Sequence, residues 1–200
     1  MVDESTESRT PELPEWELAF RFMSGRLCLA FCATVGERWR RNFERLRSPG
    51  DLARWTVEAA MLPEKPAPSA SALSDARVLR EAIYRAVRAG MAGKPIPRRD
   101  REKINAWARR PDLAIQLAKD GTKLVSGGDD PLGACLASLA RDAVDLLSGP
   151  QLARVRECAA PDCALLFLDR SRPGRRRWCA DGACGSKSRS ARYRSRQGTG

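Results

Sequence analysis

Apolar residues recur along this chain with two different periods, and each change of period marks an expected change of element. Trp16, Leu18, Phe20 and Phe22 alternate with Glu17, Ala19 and Arg21, which predicts a short strand broken by Ser24-Gly25. Leu27, Ala30, Phe31, Thr34 and Val35 then repeat at helical spacing and predict a helix. Ser48-Pro49 supplies an N-cap with proline at the first helical position, ahead of a face made by Leu52, Trp55, Thr56 and Ala59. Residues 63–72 are rich in Pro, Ala and Ser and read as a linker. Beyond it, Ser74 is expected to cap a long helix with Ala76, Leu79, Ala82, Ile83, Ala86, Val87 and Gly90 inside. Pro97 opens another helix, with Arg101, Ile104, Trp107 and Ala108 in register. Residues 113–117 and 122–126, joined through Lys119-Asp120-Gly121, predict a hairpin. Asp130-Pro131 starts a last helix to about Ser148, with Leu132, Leu136, Leu139, Ala143, Val144 and Leu147 buried and Gly149-Pro150 as its stop.

After Gln151 the helical pattern gives way to cysteines. Cys158, Cys163, Cys179 and Cys184 form a C-x4-C-x15-C-x4-C array. Two close thiolate pairs separated by a longer loop can close a tetrahedron, which is what a structural zinc prefers. The chain has no histidine, so a metal site must be thiolate-rich. One structural zinc on these four residues is preferred over iron and over four plain buried thiols. Between the pairs, residues 164–168 and 175–178 read as two strands around the turn Arg172-Pro173-Gly174, and residues 185–197 as a polar helix. Some forty residues bury too little apolar surface to fold alone, so the metal supplies the missing stability. The expected fold class is mainly α with minor β. It comprises a disordered leader (1–14), a helical N-terminal domain (15–150) and a small treble-clef-like zinc finger (151–197).

Composition narrows the partners. The net charge is +11, and it is uneven: residues 151–200 carry 12 basic and 4 acidic side chains, against 24 and 21 in residues 1–150. Arg175, Arg176, Arg177, Lys187, Arg189, Arg192, Arg194 and Arg196 are the candidate nucleic-acid contacts. Arg189, Arg192 and Arg196 would share one helical face, and with the 175–177 strand they would form one surface for phosphates, DNA being the expected partner. Some of this charge offsets the −2 of a zinc tetrathiolate. Trp178, Phe167 and Tyr193 are expected to form the finger's apolar core rather than base-stacking platforms. Asp169 is expected to hold the arginine-rich turn.

No run approaches the about 20 apolar residues that span a bilayer. Met1 to Glu15 lacks the basic and apolar regions of a signal peptide, so a cytoplasmic protein is expected. There, Cys28, Cys32 and Cys135 read as buried core thiols. No nucleophile–base pair or phosphate-cradling glycine loop is evident, and the chain is expected not to be an enzyme.

Two stretches resemble a known family. Arg156-Glu157-Cys158, Pro161-Asp162-Cys163, residues 166–171, Arg176-Arg177-Trp178-Cys179 and Cys184-Gly185 are similar to the CGNR-type zinc finger of stress-induced transcription regulators. Residues 25–34 resemble the opening Leu-Asp-Phe-x-Asn-Thr signature of the helical ABATE domain that precedes that finger. Two departures stand out. Ser186-Lys187 replaces the Asn-Arg of the finger's name, and lysine cannot grip a phosphate bidentately. Ala30 and Ala33 replace the signature's Asp and Asn, so an effector site built on those side chains would be lost or changed. The resemblance implies a regulator whose finger binds DNA and whose helical domain senses a small-molecule effector or forms a homodimer. The alternative is a zinc module that binds RNA or a protein without reading DNA sequence. A third reading is a thiol redox sensor that releases zinc on oxidation.

Overall fold

The computed structural model describes residues 13–190. The expected leader falls mostly outside that span, as do Arg192, Tyr193, Arg194, Arg196 and the end of the polar helix. Six α-helices, the start of a further one at residues 186–190 where the polar helix is expected, and three two-stranded antiparallel sheets are present among the described residues.

The first expectation is overturned. Residues 16–22 form no strand; Glu15–Leu18 is a single helical turn, α1. Trp16 is 61% exposed, whereas Glu17 is buried. The Arg41 guanidinium grips both Glu17 carboxylate oxygens at 2.8 Å, and a long-range ion pair of this kind overrides a local alternation. Helix α2 (Leu27–Cys32) is shorter than its periodicity predicts. The Thr34 hydroxyl donates back to the Phe31 carbonyl at 2.8 Å, and the chain leaves the helix for β1 (Val35–Gly36). β1 pairs with β2 (Phe43–Glu44), and a Cβ on Gly36 would lie 2.3 Å from the Phe43 ring. Only glycine lets that ring lie flat on the strand.

Helix α3 (Pro49–Glu58) begins with a capping box: Asp51 N–H donates to Ser48 Oγ at 3.2 Å, and Ser48 N–H donates to Asp51 Oδ2 at 2.8 Å. Helix α4 (Ala70–Met91) starts earlier than predicted, with Ser69 rather than Ser74 as its cap. The Ala-Ser-Ala run is helix-compatible once Pro68 is passed, and the extra turn buries Leu73. Its inner stripe is as expected, apart from the half-exposed Gly90. Helix α5 is Arg98–Ala108, and the hairpin pairs β3 (Ala114–Leu117) with β4 (Lys123–Ser126). Helix α6 (Pro131–Ser148) is capped by Asp130, whose carboxylate accepts from Gly133 N–H at 2.9 Å. Val144, expected inside, is 38% exposed, because the stripe runs through Leu139, Ala143 and Leu146.

Helices α2, α4, α5 and α6 pack around Leu29, Phe31, Leu79, Ile83, Leu136 and Leu139, with Trp55 of α3 closing one end 5.1 Å from Phe31. The C-terminal segment joins this core through β5 (Val155–Glu157) and β6 (Leu166–Leu168). Residues 175–178 form no strand, which corrects the expected hairpin. Arg176 N–H is held by Asp169 Oδ2 at 2.9 Å, so this stretch follows the turn and β6 pairs with β5 instead. The segment after Arg38 clasps the same sheet. Trp39 Nε1 and Arg88 both donate to the Glu157 carboxylate.

Candidate metal centre and basic surface

Each cysteine is placed by a different local device. Cys158 extends β5, its N–H donating to the Leu165 carbonyl at 2.9 Å. Cys163 closes a turn onto Ala160, and Ala164 (φ 55°) turns the chain back towards β6. Cys179 follows the stretch anchored by Asp169. That carboxylate accepts from Ser171 Oγ at 2.7 Å, Ser171 N–H at 2.9 Å and Arg176 N–H at 2.9 Å, as expected of a turn-organising residue. These bonds, the Ser171 hydroxyl foremost, hold it down at about 2. Cys184 sits in a π-helical turn, Asp181–Gly185, whose wider loop faces the thiol towards the others.

The four thiols converge, with all Sγ atoms within 4.8 Å of one another. Cys163 and Cys179 are 3.7 Å apart, and Cys179 and Cys184 are 3.6 Å apart. A Zn–S bond of about 2.3 Å implies tetrahedral edges of about 3.8 Å, so two edges already match zinc and the others need close by no more than about 1 Å. Cys179 N–H donates to Cys158 Sγ at 3.4 Å, a bond that favours thiolate. Hydrogen bonds from the Cys163 and Cys179 thiols push the Cys158 pKa below its ordinary value. Cys158, Cys179 and Cys184 are buried with Phe167, Leu165 and Ala33 around them. Four closed thiolates leave no open coordination position, which is the arrangement of a structural zinc.

Cys28, Cys32 and Cys135 lie elsewhere in the helical core. Burial pushes Cys32 and Cys135 up to about 12 and Cys28 well above its ordinary value, so all three stay protonated.

The candidate cations divide. Arg175 and Arg177 are exposed. Arg176 serves the finger itself: its side chain donates to the Trp178 carbonyl at 3.0 Å and to the Cys179 carbonyl, and lies 5.0 Å from the Phe167 ring. Lys187 faces Asp162 at 3.6 Å. The Arg177 and Arg189 guanidiniums lie 5.3 and 5.9 Å from the Trp178 ring, so the turn and the segment after Gly185 meet over one indole. Trp178 itself packs on the cysteine cluster, as expected.

A cleft of about 390 Å³ went unread in the sequence. It lies between α1, the β1–β2 pair and the first cysteine pair, with Arg21, Arg40, Arg45 and Ala33 in its walls. Of the two signature departures, Ala33 thus borders a cavity, whereas Ala30 is buried in the helical core. Buried Arg45 was masked by its arginine-rich neighbourhood.

A helical domain carrying a closed four-thiolate finger on a shared strand is a recognisable class of small zinc protein. The ABATE family model, described as a putative stress-induced transcription regulator, matches residues 25–150, and the CGNR zinc finger matches residues 154–197. The chain belongs to the ABATE family and ends in a CGNR zinc finger. No curated protein matches it. No helix among the described residues is long and apolar enough to cross a membrane.

Proposed function

We propose that this chain is a cytoplasmic, non-enzymatic transcription regulator that binds duplex DNA through its finger and receives an effector, or pairs with a second copy, through its helical domain. The observation that carries the DNA half is the meeting of Arg177 and Arg189 over Trp178. It makes one cationic face from two chain segments, and such a face matches a phosphate backbone. The zinc fixes that face and does no chemistry of its own. The raised thiols of the helical core speak against a redox sensor built on Cys28, Cys32 or Cys135.

Selection of bound fragments from random duplex DNA, at a stated salt concentration, tests the reading. Enrichment of a common sequence supports it. Retention of only structured RNA, or of a protein, would favour the interaction module instead.

A further inference from the structure

Arg45 is 3% exposed, yet among the described residues it forms no ion pair. Its guanidinium donates to two carbonyls, Glu17 O at 2.7 Å and Ala33 O at 2.9 Å, and it lies over the Phe43 ring at 4.7 Å. Burying an arginine without a carboxylate is costly and needs a compensating charge. Glu17, Glu44 and the Cys163 sulfur lie near enough to offset part of that charge, but the guanidinium's own bonds go to backbone carbonyls and not to these side chains. Glu17 and Glu37 are both gripped by Arg41, at 2.8 and 2.6 Å, and Asp162 faces Lys187. Arg21, half-buried in the same wall, also has no ion pair among the described residues. Burial first, and then the like charge of Arg21, pull the Arg45 pKa down to about 10. Arg45 and Arg21, with the exposed Arg40 beside them, therefore face one cavity whose nearby carboxylates are already engaged.

We propose that this cleft is a binding site for a small oxyanion, a carboxylate or a phosphate, held by Arg45 and Arg21. The inference deepens the effector half of the proposed function and rests on that half alone. Arg45 supplies a preorganised donor, since its other bonds fix its plane, and Arg21 supplies a second guanidinium from the wall of the same cleft. A cavity of about 390 Å³ admits a small organic acid or phosphate ester but no macromolecule. The zinc tetrathiolate, whose Cys163 and Cys184 also border the cleft, is the competing counter-charge. Arg45 is aimed at the backbone of Glu17 and Ala33, however, and donates no hydrogen bond to a cysteine sulfur.

The test is calorimetric titration of the full zinc-loaded chain with inorganic phosphate and, separately, with succinate, at ionic strength held constant with sodium chloride. Saturable one-site binding of either is expected, and the tighter of the two identifies the chemistry. Arg21→Ala should weaken it at least about tenfold, as loss of a charge-assisted hydrogen bond does, with zinc content and melting midpoint unchanged. Arg45→Lys should weaken it as well, because lysine lacks the fork. Absence of saturable binding to both probes overturns the proposal, as does equal affinity in Arg21→Ala. A fall in zinc affinity in these variants without anion binding would also overturn it, marking both arginines as counter-charges of the thiolates. DNA binding is measured separately with no added anion, so its failure removes the other half of the function and leaves this titration intact.

Discussion

Phe167 and Leu168, neighbours on β6, are buried in two different clusters: Phe167 among the zinc cysteines, Leu168 in the helical core. Strand alternation makes β6 the wall between them. Phe167→Ala should therefore destabilise the chain by about 3–5 kcal/mol in denaturant unfolding, the range for a buried phenylalanine. It should also loosen zinc. Unchanged chelator competition in that variant would show that the ring does not support the cysteines.

The purified protein should hold one zinc per chain. Cys158→Ser, Cys163→Ser, Cys179→Ser or Cys184→Ser should each abolish stoichiometric binding, since all four sulfurs lie within 4.8 Å of one another. Replacing Cys28, Cys32 and Cys135 with alanine should leave the metal content unchanged. Full occupancy in Cys163→Ser, or metal loss in the triple variant, would redraw the ligand set.

How much was readable in advance follows from how local each cause is. The cysteine array could be read because its ligands are paired in sequence and the pairing is itself the geometry. Caps at Ser48 and Asp130 were legible for the same reason, since a cap and its partners lie within four residues. The 16–22 alternation misled because Glu17 is buried by Arg41, a partner remote in sequence. Residues 175–178 misled because Asp169 takes the Arg176 N–H that a ladder would need. The Arg45 cleft had no local signal, for it exists only where α1, the β1–β2 pair and a cysteine turn converge.

A stabilising substitution follows from the end of α3. Met61 N–H donates to Thr56 O at 3.0 Å and Ala60 N–H to Val57 O at 2.9 Å, with Ala60 at φ 53°. This is a Schellman cap with alanine where glycine is favoured. Ala60→Gly should raise stability by about 1 kcal/mol, because the left-handed conformation costs an L-residue about 1–2 kcal/mol and the gain is partly offset by chain entropy. A lower thermal midpoint in Ala60→Gly would contradict this.

Alkaline pH should destabilise the protein through its buried thiols. The Cys135 pKa is raised by burial to about 12 from an unfolded value near 9. A folded-state pKa above the unfolded one means that stability is fully present below about pH 9 and is lost as pH rises towards 12. In that window the unfolded chain releases the proton first, at a cost of about 1.4 kcal/mol per pH unit for one group. Cys135→Ala should flatten the decline by about that slope in urea unfolding. An identical decline would place the linkage on other groups.

The finger's cations should separate into two classes when DNA affinity is followed against salt. About five neutralised phosphates imply a log–log slope of about −4.5, since each contributes about 0.9. Arg177 and Arg189 meet over Trp178 and Arg175 is exposed on the same turn, whereas Arg176 is turned inward to the Cys179 carbonyl. Replacing the first three together with alanine should flatten the slope by about two to three units and leave zinc content unchanged. Arg176→Ala should instead loosen zinc and lower the thermal midpoint, because it strips the second knuckle of its backbone partner. Removing three charges from the helical domain's exposed face, at Arg98, Arg99 and Arg101, should change the slope far less. A slope near zero, or one indifferent to the triple substitution, would leave these arginines as compensation for the zinc thiolates. The finger would then be a surface for a protein partner rather than for DNA.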